Sequence, residues 1–183
     1  MLPSVIHADQ TCGVPGHNPS ENCHLLQDVV HDANQHNIGA AVLSLDEEKA
    51  FDRVQWSYLP RVLRQMNFGE SFCQWVDLLY LDISSSILVN GEPTPKFRVT
   101  HGVRQGCPLS PLLYVVMAET IACAVRQNPV IDGYPLPKTR RVKICQYADD
   151  TTVVVLSDAS LREVFSLFQR YESASGARLN VEK

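Results

Sequence analysis

Val142-Lys143-Ile144-Cys145-Gln146-Tyr147-Ala148-Asp149-Asp150-Thr151-Thr152-Val153-Val154-Val155-Leu156 is the stretch that decides the fold. Apolar, β-branched runs flank the centre Tyr147-Ala148-Asp149-Asp150, so two strands meet at a tight turn. Adjacent carboxylates repel each other, and a hairpin tip that carries two of them points to a divalent cation. Far upstream, Ala40-Ala41-Val42-Leu43-Ser44-Leu45 reads as another strand, with Asp46 at its exit. Asp46, Asp149 and Asp150 then stand at the ends of neighbouring strands. Three such acids are able to hold two magnesium ions for phosphoryl transfer.

Working outward, the remaining chain reads as alternating helices and short strands. The first twenty residues are loop-like, with Pro3, Gly13, Pro15, Gly16 and Pro19 as breakers. Leu25, Leu26, Val29, Val30 and Ala33 give one apolar stripe to a helix over 21–37, which Gly39 ends. Two helices are predicted over 56–66 and 71–80, separated by Gly69. Ser86-Ile87-Leu88-Val89 enters an Asn90-Gly91 turn, with Phe97-Arg98-Val99 as the return strand. A polar loop over 101–108 leads to a long apolar helix over 110–126. A last helix over 161–173 is capped by Asp158 or Ser160 and stopped by Gly176. This order predicts an α+β domain: a mainly antiparallel sheet with helices packed on one face and a split βαβ core.

Composition narrows the class. The 183 residues are enough for one domain with a sizeable core, and the apolar share of 45% and charged share of 20% are those of a globular protein. No apolar run approaches the roughly 20 residues that span a bilayer. The start, Met1 to His7, lacks the basic and long apolar stretches of a secretory signal. Six cysteines without a CxxC pair read as free thiols of a reducing compartment rather than zinc ligands. The net charge of −4 counts against a simple nucleic-acid-binding surface. A local cluster of Lys138, Arg140, Arg141 and Lys143 is read either as a backbone contact or as a solvated flank.

Four segments occur in order: Leu45 to Val54 (LDEEKAFDRV), His101 to Leu113 (HGVRQGCPLSPLL), the Tyr147-Ala148-Asp149-Asp150 tetrad, and Gly176 to Lys183 (GARLNVEK). Taken together they resemble the reverse transcriptase of LINE-type non-LTR retrotransposons. The resemblance spans nearly the whole chain, and Leu2 to Leu26 resembles the family's fingers-to-palm segment. It implies a polymerase palm truncated to 39–183, preceded by partial fingers over 1–38. Upstream fingers, thumb and endonuclease are expected to lie outside the chain.

The family's roles carry over where residues match. The resemblance implies that Asp46 and Asp149 bind both magnesium ions, that manganese can substitute, and that Asp150 is a third acid. It implies an RNA template, a DNA primer and dNTPs as partners, with an intracellular place of action, nuclear or cytoplasmic. The resemblance implies that Phe51 is an aromatic residue beneath the sugar that blocks a 2'-hydroxyl; a core phenylalanine is the plainer alternative. Arg104, Gln105 and Gly106 are implied to meet the incoming nucleotide and template, with Tyr147 and Ala148 beside the acids. Lys183 resembles a lysine that protonates departing pyrophosphate. Asp52 reads as a structural acid paired with Arg53 or Lys49.

The pattern departs from the family at His17, where relatives commonly carry arginine, a change that weakens any phosphate contact at neutral pH. The isolated chain is expected to be weakly active or inactive, since orientation by the missing clamp supplies much of the rate. A catalytically inactive remnant that binds nucleic acid or protein is the alternative function. An RNA-directed RNA polymerase is disfavoured by the aromatic Phe51 and by Ala148, where that class usually has glycine.

Overall fold

The computed structural model describes residues 2–137 and 141–180. Its elements in chain order are α1 (Leu2–Val5), α2 (Pro19–His36), β1 (Ala41–Leu45), α3 (Ala50–Arg53), α4 (Leu59–Gln65), α5 (Glu70–Leu79), β2 (Ser84–Ser85), β3 (Leu88–Val89), β4 (Glu92–Pro93), β5 (Phe97–Arg98), α6 (Ser110–Gln127), β6 (Ile144–Tyr147), β7 (Asp150–Val155) and α7 (Asp158–Ser175).

The central sheet is antiparallel, in the order β1-β7-β6. Val153 of the middle strand faces Leu43 on one side and Ile144 on the other. The valine run of β7 makes it the middle strand: Val153, Val154 and Val155 are all buried, so both faces must be covered. Burying each valine stabilises the fold by about 1.5–3 kcal/mol. On one face, Leu43, Leu45, Ile144, Val153 and Val155 meet Tyr114, Met117 and Ile121 of α6 and Val164 and Phe168 of α7. On the other, Cys145 and Val154 meet Tyr134 and Val29 of α2. The helices expected on one face are thus α6 and α7, and α2 adds cover on the second.

Helix α6 is apolar all round because it is central. Its Tyr114, Met117 and Ile121 side faces the sheet, while Leu113, Val115 and Val116 join Leu59, Leu63, Cys73 and Val76 of α4 and α5 in a second core. Arg126, near its C-terminal end, pairs with Glu119 and with Asp9, the latter at 2.8 and 2.9 Å, and so ties the N-terminal segment to the helix. All six cysteines are free thiols.

Helix ends follow local chemistry. The Asn18 side chain accepts the Ser20 N–H at 3.1 Å and Pro19 opens α2. Helix α7 is capped by Ser157, one residue before the expected Asp158, because Ser157 still has extended backbone and its hydroxyl accepts the Ser160 N–H. The Asn90-Gly91 turn forms as predicted, with φ of 51° and 89°. The return strand differs. A two-residue turn fixes pairing at once, so Val89 faces Glu92, while Phe97–Arg98 pairs with Ser84–Ser85 instead.

The loop-like N-terminal stretch joins the sheet. Gln10 bridges Gln146 in parallel fashion, through Thr11 N–H to Gln146 O (3.0 Å) and Gln146 N–H to Asp9 O (2.7 Å). Asn22 of α2 secures the junction by donating to the carbonyls of Asp9 and Gln146.

Candidate active site

Register brings the acids together. Leu45 is the last residue of β1 and faces Thr151. One step on, Asp46 leaves β1 at the end where β7 begins with Asp150. Tyr147 faces Asp150 across the hairpin, so Ala148 and Asp149 form its two-residue tip. Ala148 adopts φ 53°, a left-handed conformation that residues with a Cβ seldom take. Asp46 and Asp149 are half-buried and Asp150 is exposed. Among the described residues, no three His, Cys, Asp or Glu side chains form a self-sufficient metal cluster.

Asp46 is held from the C-terminal side. Asn180 donates its backbone N–H to Asp46 O at 2.8 Å and its side-chain amide to Asp46 Oδ2 at 3.2 Å. The adjoining bridge between Glu47 and Leu179 and the Glu48 N–H to Arg178 O bond lay this segment along the exit of β1.

Beneath the acids lies Glu47, only 5% exposed. The Tyr114 hydroxyl donates to it at 2.9 Å. Burial pushes the Glu47 carboxyl up to about 7; the Tyr114 bond opposes this, and the charges of Asp149, Glu172 and Asp46 reinforce it. Burial and then the Glu47 charge hold the Tyr114 hydroxyl far above its ordinary value, so it stays a donor. The Cys12 thiol sits nearby, raised by burial and then by Asp149, with a Tyr147 hydrogen bond acting against both.

The predicted nucleotide-contacting residues of the second segment converge with Phe51. Phe51, Arg104, Gln105 and Gly106 line one open cavity of about 440 Å³. The loop is fixed to α3 by Val103 N–H to Phe51 O and Gly102 N–H to Val54 O, both 2.8 Å. Gly102 has φ 91°, and a Cβ there would lie 2.8 Å from the Asp52 carbonyl oxygen, so only glycine fits. The partner of Asp52 differs from expectation. Its Oδ1 accepts from Gln105 Nε2 at 3.1 Å, while Arg53 turns to Glu48 at 2.8 Å. The reason is the close approach of the loop at Gly102, which brings Gln105 over α3.

Arg141 pairs with Asp132, and Lys143 Nζ donates to the carbonyls of Arg126 (3.0 Å) and Asn128 (2.8 Å), so these two members of the basic cluster have structural partners. Lys138 and Arg140, like Lys183, lie outside the described residues. The ring of His17 reaches inward, its Nδ1 2.7 Å from the Gln10 carbonyl. Three residues at the site carry no sequence signal of their own: Gln10, Glu47 and Tyr114. Asn180 stands inside the fourth segment, Gly176 to Lys183.

A family model described as reverse transcriptase (RNA-dependent DNA polymerase) matches residues 4–183. The chain belongs to the reverse transcriptase family. This reverse transcriptase domain is 36% identical over its full length to the transposon TX1 uncharacterized 149 kDa protein of Xenopus laevis, of which it spans 14%. It is 29% identical, over 78% of its length, to a Pol polyprotein from the type-1 retrotransposable element R2 of Popillia japonica, of which the match covers 20%. Among solved structures, apo telomerase from Candida tropicalis superposes on all of the domain with a TM-score of 0.69 at 12% identity, over 34% of that chain. A telomerase from Candida albicans, solved with a fragment of telomeric RNA, superposes on 96% of it with a TM-score of 0.66 at 13% identity. That likeness is one of fold: the reverse transcriptase domain has the mixed helix and antiparallel-sheet architecture of a polymerase palm. No helix among its described residues is long and apolar enough to cross a membrane.

Proposed function

We infer that this reverse transcriptase domain performs RNA-templated DNA synthesis, adding dNTPs to a DNA primer 3'-hydroxyl. The observation that carries this reading is the register that sets the end of β1, where Asp46 exits, against the end of β7 that adjoins the Asp149 hairpin tip. Residues 39–183 act as the palm in this reading, and 1–38 as its link to the fingers.

The donor set suits magnesium. Asp46 and Asp149 supply hard carboxylate oxygens, and magnesium takes one or two carboxylates together with substrate phosphates rather than an all-protein cage. Magnesium held by Asp46 and Asp149 would supply Lewis acidity to the phosphoryl transfer. The protein's own residues position the reactants. Asp46 is oriented by Asn180 and Asp149 by its strained tip. The primer oxygen forms a bond to the α-phosphorus while the bond to the pyrophosphate oxygen breaks. Phe51, Arg104, Gln105 and Gly106 line the cavity that takes the incoming nucleotide. Phe51 sits beneath the sugar and Arg104 offers a cation to phosphate. Asp150 is a third acid at the rim.

Primer extension on an RNA template, with magnesium and dNTPs, tests the reading in the full-length protein. Asp149→Asn should lower incorporation about 100-fold or more while the protein stays folded. Absence of any dNTP incorporation by the unsubstituted protein would overturn it.

A further inference from the structure

Gln10 is fully buried, 0% exposed, and its carboxamide closes on one residue of the hairpin tip. The Ala148 N–H donates to Gln10 Oε1 at 3.0 Å, and Gln10 Nε2 donates to the Ala148 carbonyl at 3.3 Å. Tip residues of a two-residue hairpin have no partner in their own ladder. Here a side-chain amide supplies both missing bonds, as a strand backbone would. The backbone of residues 9–11 pairs with Gln146, and the Gln10 side chain carries that pairing two residues further, to Ala148.

The direction of the Ala148 carbonyl matters because it belongs to the peptide that joins Ala148 to Asp149. Type I' and II' hairpin tips differ mainly by rotation of that central peptide. A rotation there swings the following side chain, which is the Asp149 carboxylate. Ala148 is also left-handed, a state from which a Cβ-bearing residue tends to escape. Gln10 is itself anchored on several sides. Its Oε1 accepts the Cys12 N–H at 3.0 Å, its backbone N–H donates to His7 O at 3.1 Å, and its carbonyl meets His17 Nδ1 at 2.7 Å.

We propose that Gln10 is a positioning residue for metal binding, because its carboxamide fixes the Ala148–Asp149 peptide and so aims the Asp149 carboxylate. The inference rests on the polymerase reading for the role of Asp149, but the clasp itself can be tested without turnover. The variants are Gln10→Leu, which keeps the volume and removes the amide, and Gln10→Leu combined with Ala148→Gly, in which glycine accepts the left-handed conformation unaided. Three quantities are measured: amide hydrogen exchange at Ala148, Mn2+ affinity without substrates, and the magnesium dependence of primer extension.

Gln10→Leu should speed exchange at Ala148 about 10-fold or more while exchange in α6 and β7 stays unchanged. Mn2+ affinity should fall about 10-fold, and the half-saturating magnesium concentration should rise by a similar factor with the KM for dNTP unchanged. The added Ala148→Gly change should restore part of the metal affinity, a rescue that general destabilisation would not give. Unchanged exchange at Ala148, or faster exchange with unchanged metal affinity, would overturn the proposal. If the unsubstituted protein extends no primer yet shows the Gln10-dependent Mn2+ affinity, the polymerase reading fails and the clasp stands.

Discussion

The ring of Phe51 stacks on that of Tyr114, with 4.9 Å between centroids and 19° between planes. Tyr114 is fully buried and its hydroxyl is bonded to Glu47, so Phe51 rests on a fixed platform rather than on a mobile side chain. If nucleotide binds as proposed, such a ring cannot retreat from a 2'-hydroxyl. Phe51→Val should therefore raise rNTP use relative to dNTP by about 10-fold or more, with incorporation of each measured on the same primer-template. An unchanged ratio would make Phe51 a core residue and no more.

Asn180 offers a second measurement. Its side-chain amide reaches Asp46 Oδ2 at 3.2 Å across 134 residues of sequence. Asn180→Ala should cost about 1 kcal/mol of stability for the lost bond. Asn180→Asp sets a carboxylate against a carboxylate and should cost more than alanine does. Chemical denaturation of the three proteins ranks them, and a ranking with alanine worse than aspartate would refute this account of the contact.

Glu47 makes stability depend on pH. Its folded carboxyl is raised from an ordinary 4.5 to about 7, so the folded state binds the proton more tightly than the unfolded chain does. The stabilisation from this proton is fully present below about pH 4.5 and is lost as pH rises through about 7. The span is on the order of 3 kcal/mol. In metal-free buffer, Glu47→Gln should flatten the fall in stability between those limits, read from denaturation midpoints at several pH values. An equally steep fall in the variant would assign the effect to other groups.

Gly102 tests the junction of the loop with α3. Gly102→Ala would place a methyl 2.8 Å from the Asp52 carbonyl oxygen at a backbone φ of 91°. Clash and strain together should destabilise by about 1–3 kcal/mol. Because Gln105 is bonded to Asp52 across this junction, the KM for dNTP should rise as well. Wild-type stability with a wild-type KM would show that the loop relaxes freely.

Much of this was legible from local pattern. The double aspartate between two apolar runs marks the hairpin of β6 and β7, and the apolar run before Asp46 marks β1, since both signals depend on period-two strands and turn chemistry. The long helix expected over 110–126 is equally plain from its apolar character, and the structure extends it by one residue to Gln127. Contacts between side chains remote in sequence were not legible. Nothing near Gln10 marks it as the partner of Ala148, 138 residues away, because amide pairing leaves no periodic trace. Asp52 has cationic neighbours in Lys49 and Arg53, yet it bonds to Gln105, which the close approach at Gly102 brings into range. The strand that returns from Asn90-Gly91, Glu92–Pro93, is not legible because short exposed strands have little apolar alternation.

The pairing of β1 with β7 has a consequence in time. Ala41 finds Val155 only after more than a hundred further residues have been made. At about 5–20 residues per second, a ribosome holds β1 without its neighbour for several seconds or more. Throughout that interval the nascent polypeptide displays an unpaired strand edge that ends in Asp46. Whatever shields that edge during synthesis, a chaperone or transient local collapse, governs the yield of competent protein before any nucleotide is met.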